Sequence, residues 1–215
     1  MTGQEEESGR IDEARPAVHL LDDDPSVRRA VERQLRVHGW SVKTYASVAE
    51  FEHAAITGPG CLLLDLLIPD GSGLDLLARL ERAATPLSVI LVSGYGDVPS
   101  TVRAMRLGAL DFLTKPLSED DLLEAVSRAT DKSLEAWAQR TEIEGLRKRL
   151  TRLTPRERQV SRLVATGMLN KQVAEALGTS EKTVKVHRGR AMAKLEVTSV
   201  AQLVRLLDRA GEQRL

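Results

Sequence analysis

Acidic, hydroxyl and cationic residues recur in this 215-residue chain at the ends of short apolar runs. The first run closes on Asp22-Asp23-Asp24, the third on Asp65, the fourth on Ser93 and the fifth on Lys115-Pro116. Phosphoryl transfer to a carboxylate uses such a set. Asp65 would be the nucleophile and form an acyl phosphate. Asp22 and Asp23 would gather negative charge that a divalent cation relieves, and Mg²⁺ favours oxygen ligands plus water. The metal bridges phosphoryl oxygens and neutralises developing charge. Lys115 would add a positive point charge, and Ser93 a hydroxyl donor, to the phosphoryl group. Each residue alone has a plainer use. A strand-terminal Asp is commonly a helix N-cap, and Asp24 before Pro25 fits that role. Capping does not explain the set gathered at four strand ends.

A second set lies near the C-terminus. Asn170–Leu177 reads as a short helix, Gly178-Thr179-Ser180 as a turn, and Glu181–Leu195 as a longer helix capped by Ser180. Val184, Ala191 and Leu195 fall on one side of the longer helix and would pack inward. The other side presents Lys182, Val186, Gly189 and Ala193, flanked by Lys185 and Arg190. Long cations beside small side chains suit a helix lying in a DNA major groove, where the lysines reach phosphates or guanine edges. A solvated basic face on an ordinary three-helix packing would read similarly.

Alternating elements must position the first set. Strand-like runs are Ala17–Leu21, Val42–Tyr45, Cys61–Leu64, Ser88–Val92 and Leu110–Leu113. Helical stretches lie near 26–37, 47–55, 73–82 and 98–107, and another begins near 119. Ser47-Val48-Ala49-Glu50 is a capping-box pattern, and Ser118 precedes an acidic first turn. Nearly continuous apolar strands alternating with helices predict a parallel sheet covered on both faces. In such sheets the functional crevice lies outside the carboxyl ends of the strands. The expected first domain is therefore α/β, doubly wound and flavodoxin-like, with a (βα)5 order over residues 16–135. An acidic tail, 1–15, reads as disordered. Residues 136–150 form a helical linker, either continuous with the preceding helix or a flexible charged stretch around 138–149; a short coiled coil between protomers is a further option. From 151 to 215 the texture is all-α, with helices near 155–166, 170–177, 181–195 and 199–210. Thr154-Pro155-Arg156-Glu157 is a complete helix start: N-cap, Pro at the first position, and a capping-box Glu.

Composition adds a charge split. The net charge is zero, yet from Arg152 onward 13 Lys/Arg stand against 6 Asp/Glu, leaving 18 against 25 before it. Only the basic part is suited to a polyanion. The N-terminus has no signal-peptide pattern, and no apolar run reaches the roughly 18 residues of a membrane span, so a cytoplasmic setting without membrane contact is expected. The single cysteine, Cys61, gives neither a disulfide nor a metal spacing.

The segments Leu20-Leu21-Asp22-Asp23-Asp24, Leu64-Asp65-Leu66-Leu67-Ile68-Pro69-Asp70-Gly71-Ser72-Gly73 and Phe112-Leu113-Thr114-Lys115-Pro116 resemble the receiver domain of bacterial response regulators. Val92-Ser93-Gly94-Tyr95-Gly96-Asp97-Val98 resembles the same loop in FixJ-type members. The pattern Leu153-Thr154-Pro155-Arg156-Glu157…Gly167…Asn170-Lys171…Thr183-Val184-Lys185…His187…Lys194-Leu195 resembles the LuxR-type effector domain, also called the NarL/FixJ output domain. The resemblance implies a two-component transcriptional regulator and not an enzyme. A sensor histidine kinase would phosphorylate Asp65, and the Leu67 backbone carbonyl would join Asp23 and Asp65 around Mg²⁺. Ser93 and Phe112 would act as the switch, with Ser93 standing where many relatives have Thr. Activation would bring homodimerisation and binding to promoter double-stranded DNA, with RNA polymerase as a further partner. Lys185 and Val186 would enter the groove with Lys182 and Gly189 nearby, and Lys171 and Thr183 would contact phosphates. Gly189 departs from members with a long side chain there. His187 would be structural.

Two other readings are weighed beside this one. A regulator whose receiver fold senses a small ligand would have no chemical need for Asp23, Asp65, Ser93 and Lys115 together. An aspartyl-phosphate phosphatase would need an acid two residues past its nucleophile, where this chain has Leu67.

Overall fold

The computed structural model describes residues 16–94 and 98–212. The acidic tail and Tyr95-Gly96-Asp97 lie outside them. The chain divides into two compact units, Met1–Trp137 and Ala138–Leu215.

The first unit holds a parallel sheet of β1 (Ala17–Leu21), β2 (Val42–Tyr45), β3 (Gly60–Asp65), β6 (Leu87–Ser93) and β7 (Asp111–Thr114), in the order β2-β1-β3-β6-β7. Between β3 and β6 a small antiparallel pair, β4 (Leu67–Ile68) and β5 (Gly71–Ser72), forms a hairpin that the sequence did not announce. The central strand β3 is buried throughout, which explains its unbroken apolar run. Its side chains alternate between two cores. Leu62 and Leu64 join Leu21, Leu91, Val48 and Phe51 of α2 (Val48–His53), Leu76 and Leu77 of α3 (Gly73–Arg82), and Ala104 of α4 (Val98–Arg106). Cys61 and Leu63 join Val18, Leu20, Ile90, Val31 and Leu35 of α1 (Pro25–Val37), and Leu122, Val126 and Ala129 of α5 (Glu119–Thr151). Helices thus cover both faces, as the period-2 alternation of β3 requires. Buried Ser133 of α5 fixes that helix to the sheet: it accepts from Gly60 N at 2.8 Å and donates to the Pro86 carbonyl.

The helix α5 runs unbroken for 33 residues, through Gly145. Of the two linker forms left open by the sequence, the chain adopts the continuous one. Ser118 caps its start by accepting from Asp121 N. Ser47 caps α2 by accepting from Glu50 N at 3.1 Å, but the Glu50 carboxylate accepts from Ala46 N, one residue short of the reciprocal capping-box bond.

The second unit packs α6 (Pro155–Ala165), α7 (Asn170–Ala176), α8 (Glu181–Leu195) and α9 (Val200–Arg209) with the last turns of α5. Its core is aliphatic, built on Leu150, Val160, Val164, Val173, Val184, Leu195, Leu203 and Leu207. Glu157 serves two elements at once. Its carboxylate accepts from Thr154 N at 2.9 Å, completing the capping box of α6, and from Lys194 Nζ of α8 at 2.6 Å. Burial opposes the charged form of Glu157, but the Lys194 ammonium and the Thr154 donors outweigh it and hold the carboxyl below its ordinary value. No helix among the described residues is long and apolar enough to cross a membrane.

Lys194→Met leaves Glu157, only 2 % exposed, without its cation. Loss of that charge-assisted bond should destabilise the helical unit by about 1–3 kcal/mol in urea titrations followed by circular dichroism. Because the folded-state pKa of Glu157 is depressed, the pair's contribution is complete at pH values above the ordinary carboxyl pKa. It is lost as pH falls through the lower folded-state value, so wild type and Lys194→Met should converge in stability under acid.

Candidate functional site

Three strand ends meet at the carboxyl edge of the parallel sheet. β1 delivers Asp22, which is 1 % exposed, and β3 delivers Asp65, 6 % exposed. From the segment after β7, Lys115 places its ammonium between them, 2.7 Å from Asp22 Oδ2 and 2.6 Å from Asp65 Oδ2. Burial works against the charge on Lys115, but the two carboxylates outweigh it and raise its pKa. The remaining carboxylate oxygens are aimed by the backbone: Asp22 Oδ1 accepts from Asp24 N and Asp65 Oδ1 from Leu67 N, each at 2.9 Å. Asp23 is exposed beside them, and one carboxylate oxygen from each of Asp22, Asp23 and Asp65 fits within 4.8 Å of the others. Asp24 serves as the N-cap of α1, accepting from Ser26 N at 2.7 Å; that backbone bond is the main cause of its lowered pKa.

The frame around these groups is tight. Lys115 N donates to the Ser93 carbonyl and Leu66 N to the Val92 carbonyl, so the loops after β7 and β3 are both tied to β6. Ser93 is fully buried, next to Thr114 in the β6–β7 register. Phe112, opposite Leu91 in that register, is half-buried against the core that holds Leu64 and Leu91. At Gly73, the first residue of α3, a Cβ would stand 2.3 Å from the Asp65 carbonyl oxygen. A side chain there would push α3 off the strand that carries Asp65.

Two supporting residues were given no role from the sequence. Arg28 on α1 donates from Nη1 to the Asp22 carbonyl at 2.5 Å. The Asp70 carboxylate, at the turn of the β4–β5 hairpin, accepts from Val48 N and Ala49 N of α2, each at 3.2 Å. Both partnerships join side chain to backbone across loops, and neither leaves a periodic trace. The hairpin fixes Leu67, whose side chain is 63 % exposed, at the rim of an open cleft of about 320 Å³ lined by Asp23, Leu66, Leu67, Ile68, Pro69, Gly71 and Ser72.

In the helical unit, Ser180 caps α8 by accepting from Thr183 N at 3.1 Å, and its hydroxyl lies 2.8 Å from that of Thr183. Val184, Ala191 and Leu195 are buried. Lys182, Lys185, Val186, Gly189, Arg190 and Ala193 are exposed on the other side, and nothing lies within 4 Å of the point where a Gly189 Cβ would be. Lys171 is exposed on α7. Thr183 and His187 are half-buried, and His187 Nδ1 is buried without a hydrogen-bond partner. Asn170 accepts from Arg188 at 3.1 Å, linking the short helix to the long one.

Comparison with known proteins gives matches on both units. Residues 18–127 match the family described as response regulator receiver domain, and residues 151–207 match bacterial regulatory proteins, luxR family. The chain is 39 % identical over 195 residues to nodulation protein W of Bradyrhizobium diazoefficiens, covering 90 % of this chain and 86 % of that protein. It is 38 % identical over 195 residues to transcriptional regulatory protein FixJ of Rhizobium meliloti, covering 90 % and 96 % of the two. Among solved structures, the response regulator StyR superposes with a TM-score of 0.83 at 38 % identity, covering 91 % of this chain and all of that one.

Lys115→Met removes the cation shared by two buried carboxylates. In metal-free buffer at neutral pH the first unit should lose about 2–4 kcal/mol, measured by urea denaturation followed through tryptophan fluorescence.

Proposed function

The chain belongs to the response regulators that join a receiver domain to a LuxR-type DNA-binding domain, and on that footing we propose that phosphorylation of Asp65 controls its binding to promoter DNA. The observation that carries this reading is the Lys115 ammonium held between Asp22 and Asp65, with Asp23 alongside. A carboxylate oxygen of Asp65 attacks the phosphorus of a phosphohistidine on a partner kinase. The P–N bond breaks, the electron pair returns to the imidazole, and Asp65 becomes an acyl phosphate. Lys115, already poised beside Asp65, supplies positive charge to the phosphoryl oxygens. Asp22, Asp23, Asp65 and the Leu67 carbonyl would hold Mg²⁺; this all-oxygen donor set suits a hard cation, which neutralises phosphoryl charge when bound.

The switch we assign to Ser93 and Phe112. Ser93 lies one strand from Asp65, and Phe112, half-buried against the core of Leu64 and Leu91, would turn inward when the serine hydroxyl turns toward the phosphoryl group. Val98, Val102 and Met105 form an exposed apolar stripe on α4 at helical spacing, a surface fitted to homodimerisation on activation. On DNA, Lys185 and Val186 of α8 would read the major groove with Lys182, Gly189 and Arg190 beside them, while Lys171 and Thr183 take backbone phosphates. Transcription control makes RNA polymerase the downstream partner, in the cytoplasm. The residue two past Asp65 is Leu67, which offers no proton for hydrolysis, so the chain acts as a regulator and not as a phosphatase.

With Mg²⁺ and acetyl phosphate or beryllofluoride, wild type should shift toward dimer and retain operator DNA more tightly, while Asp65→Asn should not respond. Equal DNA binding by both proteins, with or without the mimic, would leave the DNA-binding half standing and discard the switch. In salt titrations, Lys171→Ala should weaken binding alike on all sequences and lower the slope of log K against log salt by about 1, whereas Lys185→Ala should also relax base preference.

A further inference from the structure

The helical unit holds more positive charge at one place than it neutralises. Arg147 near the end of α5, Arg158 and Arg162 on α6, and Ala210, Gly211 and Glu212 after α9 line an open cavity of about 500 Å³. Among the described residues, Glu212 is the single acid that lines it. Arg162 meets Glu212 Oε2 with Nε at 2.9 Å and Nη2 at 2.6 Å, and Arg158 Nη2 lies 3.5 Å from Glu212 Oε1. One arginine therefore suffices to hold the carboxylate. The other two are under-used. Arg147 is exposed and reaches the Ala210 carbonyl at a long 3.4 Å, while Arg158 bonds the Leu150 carbonyl at 3.2 Å. Arg158 Nε is buried with no hydrogen-bond partner. A donor removed from water and left unbonded is uncommon in a folded protein and marks a place where an acceptor belongs.

We propose that this cavity is a binding site for a small phosphate monoester, separate from the phosphoacceptor cleft and from the exposed face of α8. Three guanidinium groups against one carboxylate leave two positive charges, which match a phosphate dianion. Glu212 in the fork of Arg162 shows that the guanidinium planes here accept an oxyanion, and phosphate takes the same fork geometry. The ligand would span Arg147 and Arg158 and give Arg158 Nε its acceptor. It would tie the last turns of α5 to α6 and to the end of α9, so ligand level would set the stability of the helical unit by linkage.

The test uses full-length protein without Mg²⁺, with ionic strength held constant by chloride. Glucose 6-phosphate and inorganic phosphate are the probes, and thermal melting by far-ultraviolet circular dichroism and the Arg158 Nε–Hε resonance are the readouts. Both probes should raise the melting temperature and shift that resonance. Glu212→Gln removes the resident competitor and should tighten binding by roughly tenfold, the worth of one charge-assisted bond. Arg147→Ala, an exposed position whose loss should not unfold the unit, should abolish the response, as should Arg158→Gln where it folds. No response in wild type and Glu212→Gln, or an undiminished response in Arg147→Ala, would overturn the site. DNA backbone phosphate is the other source of this chemistry. Arg147→Ala should leave the salt slope of DNA binding unchanged, and a fall of about 1 would assign the arginine to DNA and overturn the small-ligand reading.

Discussion

Two buried carboxylates on neighbouring strands repel each other, and the ammonium of Lys115 makes their proximity tolerable. Much of the first unit follows from that requirement. The cation must come from two strands beyond Asp65, so β6 has to present carbonyls that fix the loops on either side, and Ser93 O and Val92 O do so. Asp65 must be held by a strand that cannot slide, and β3 is buried on both faces in parallel register with β1 and β6. The helix after the hairpin must come close to the strand that carries Asp65, which leaves no space for a side chain at Gly73. Asp23, in contrast, stays exposed beside the buried pair.

The helical unit solves a related problem with the opposite charge balance. Lys182, Lys185 and Arg190 are exposed on α8, while the buried acid of the unit, Glu157, is satisfied from inside by Thr154 and Lys194. One carboxylate thereby fixes the start of α6 and the end of α8 together. The exposed lysines of α8 consequently sit on a helix clamped at its N-terminus by Ser180 and near its C-terminus by Glu157.

Strand ends, helix starts and the acids between them were legible in the sequence because their signals are local. Asp24 before Pro25, Thr154 before Pro155 and Ser180 before an acidic residue announce caps, and the apolar runs of β1 and β2 matched the strands residue for residue. The hairpin was not legible, since two paired residues make no period, and Asp70 finds its partners 21 and 22 positions away. Arg28 was missed because it binds a carbonyl, which carries no sequence identity. The continuity of α5 stayed open because its apolar stripe is imperfect around Gly145; Leu146 and Leu150, near its end, pack into the second core. The arginines facing Glu212 lie on two helices, α5 and α6, and Glu212 itself follows α9, so their meeting is a property of the fold alone.

The purely aliphatic core of the second unit also determines what light can report. Both tryptophans, both tyrosines and both phenylalanines of the chain precede Ala138, so the helical unit contains none of them. Trp40 packs against the core of α1 and α5, and Trp137 is half-buried near the middle of α5. Intrinsic fluorescence and near-ultraviolet dichroism are therefore blind to the DNA-binding half. A spectral change on adding a phosphoryl mimic belongs to the receiver, and a melt followed at both near- and far-ultraviolet wavelengths separates the two units without labelling either.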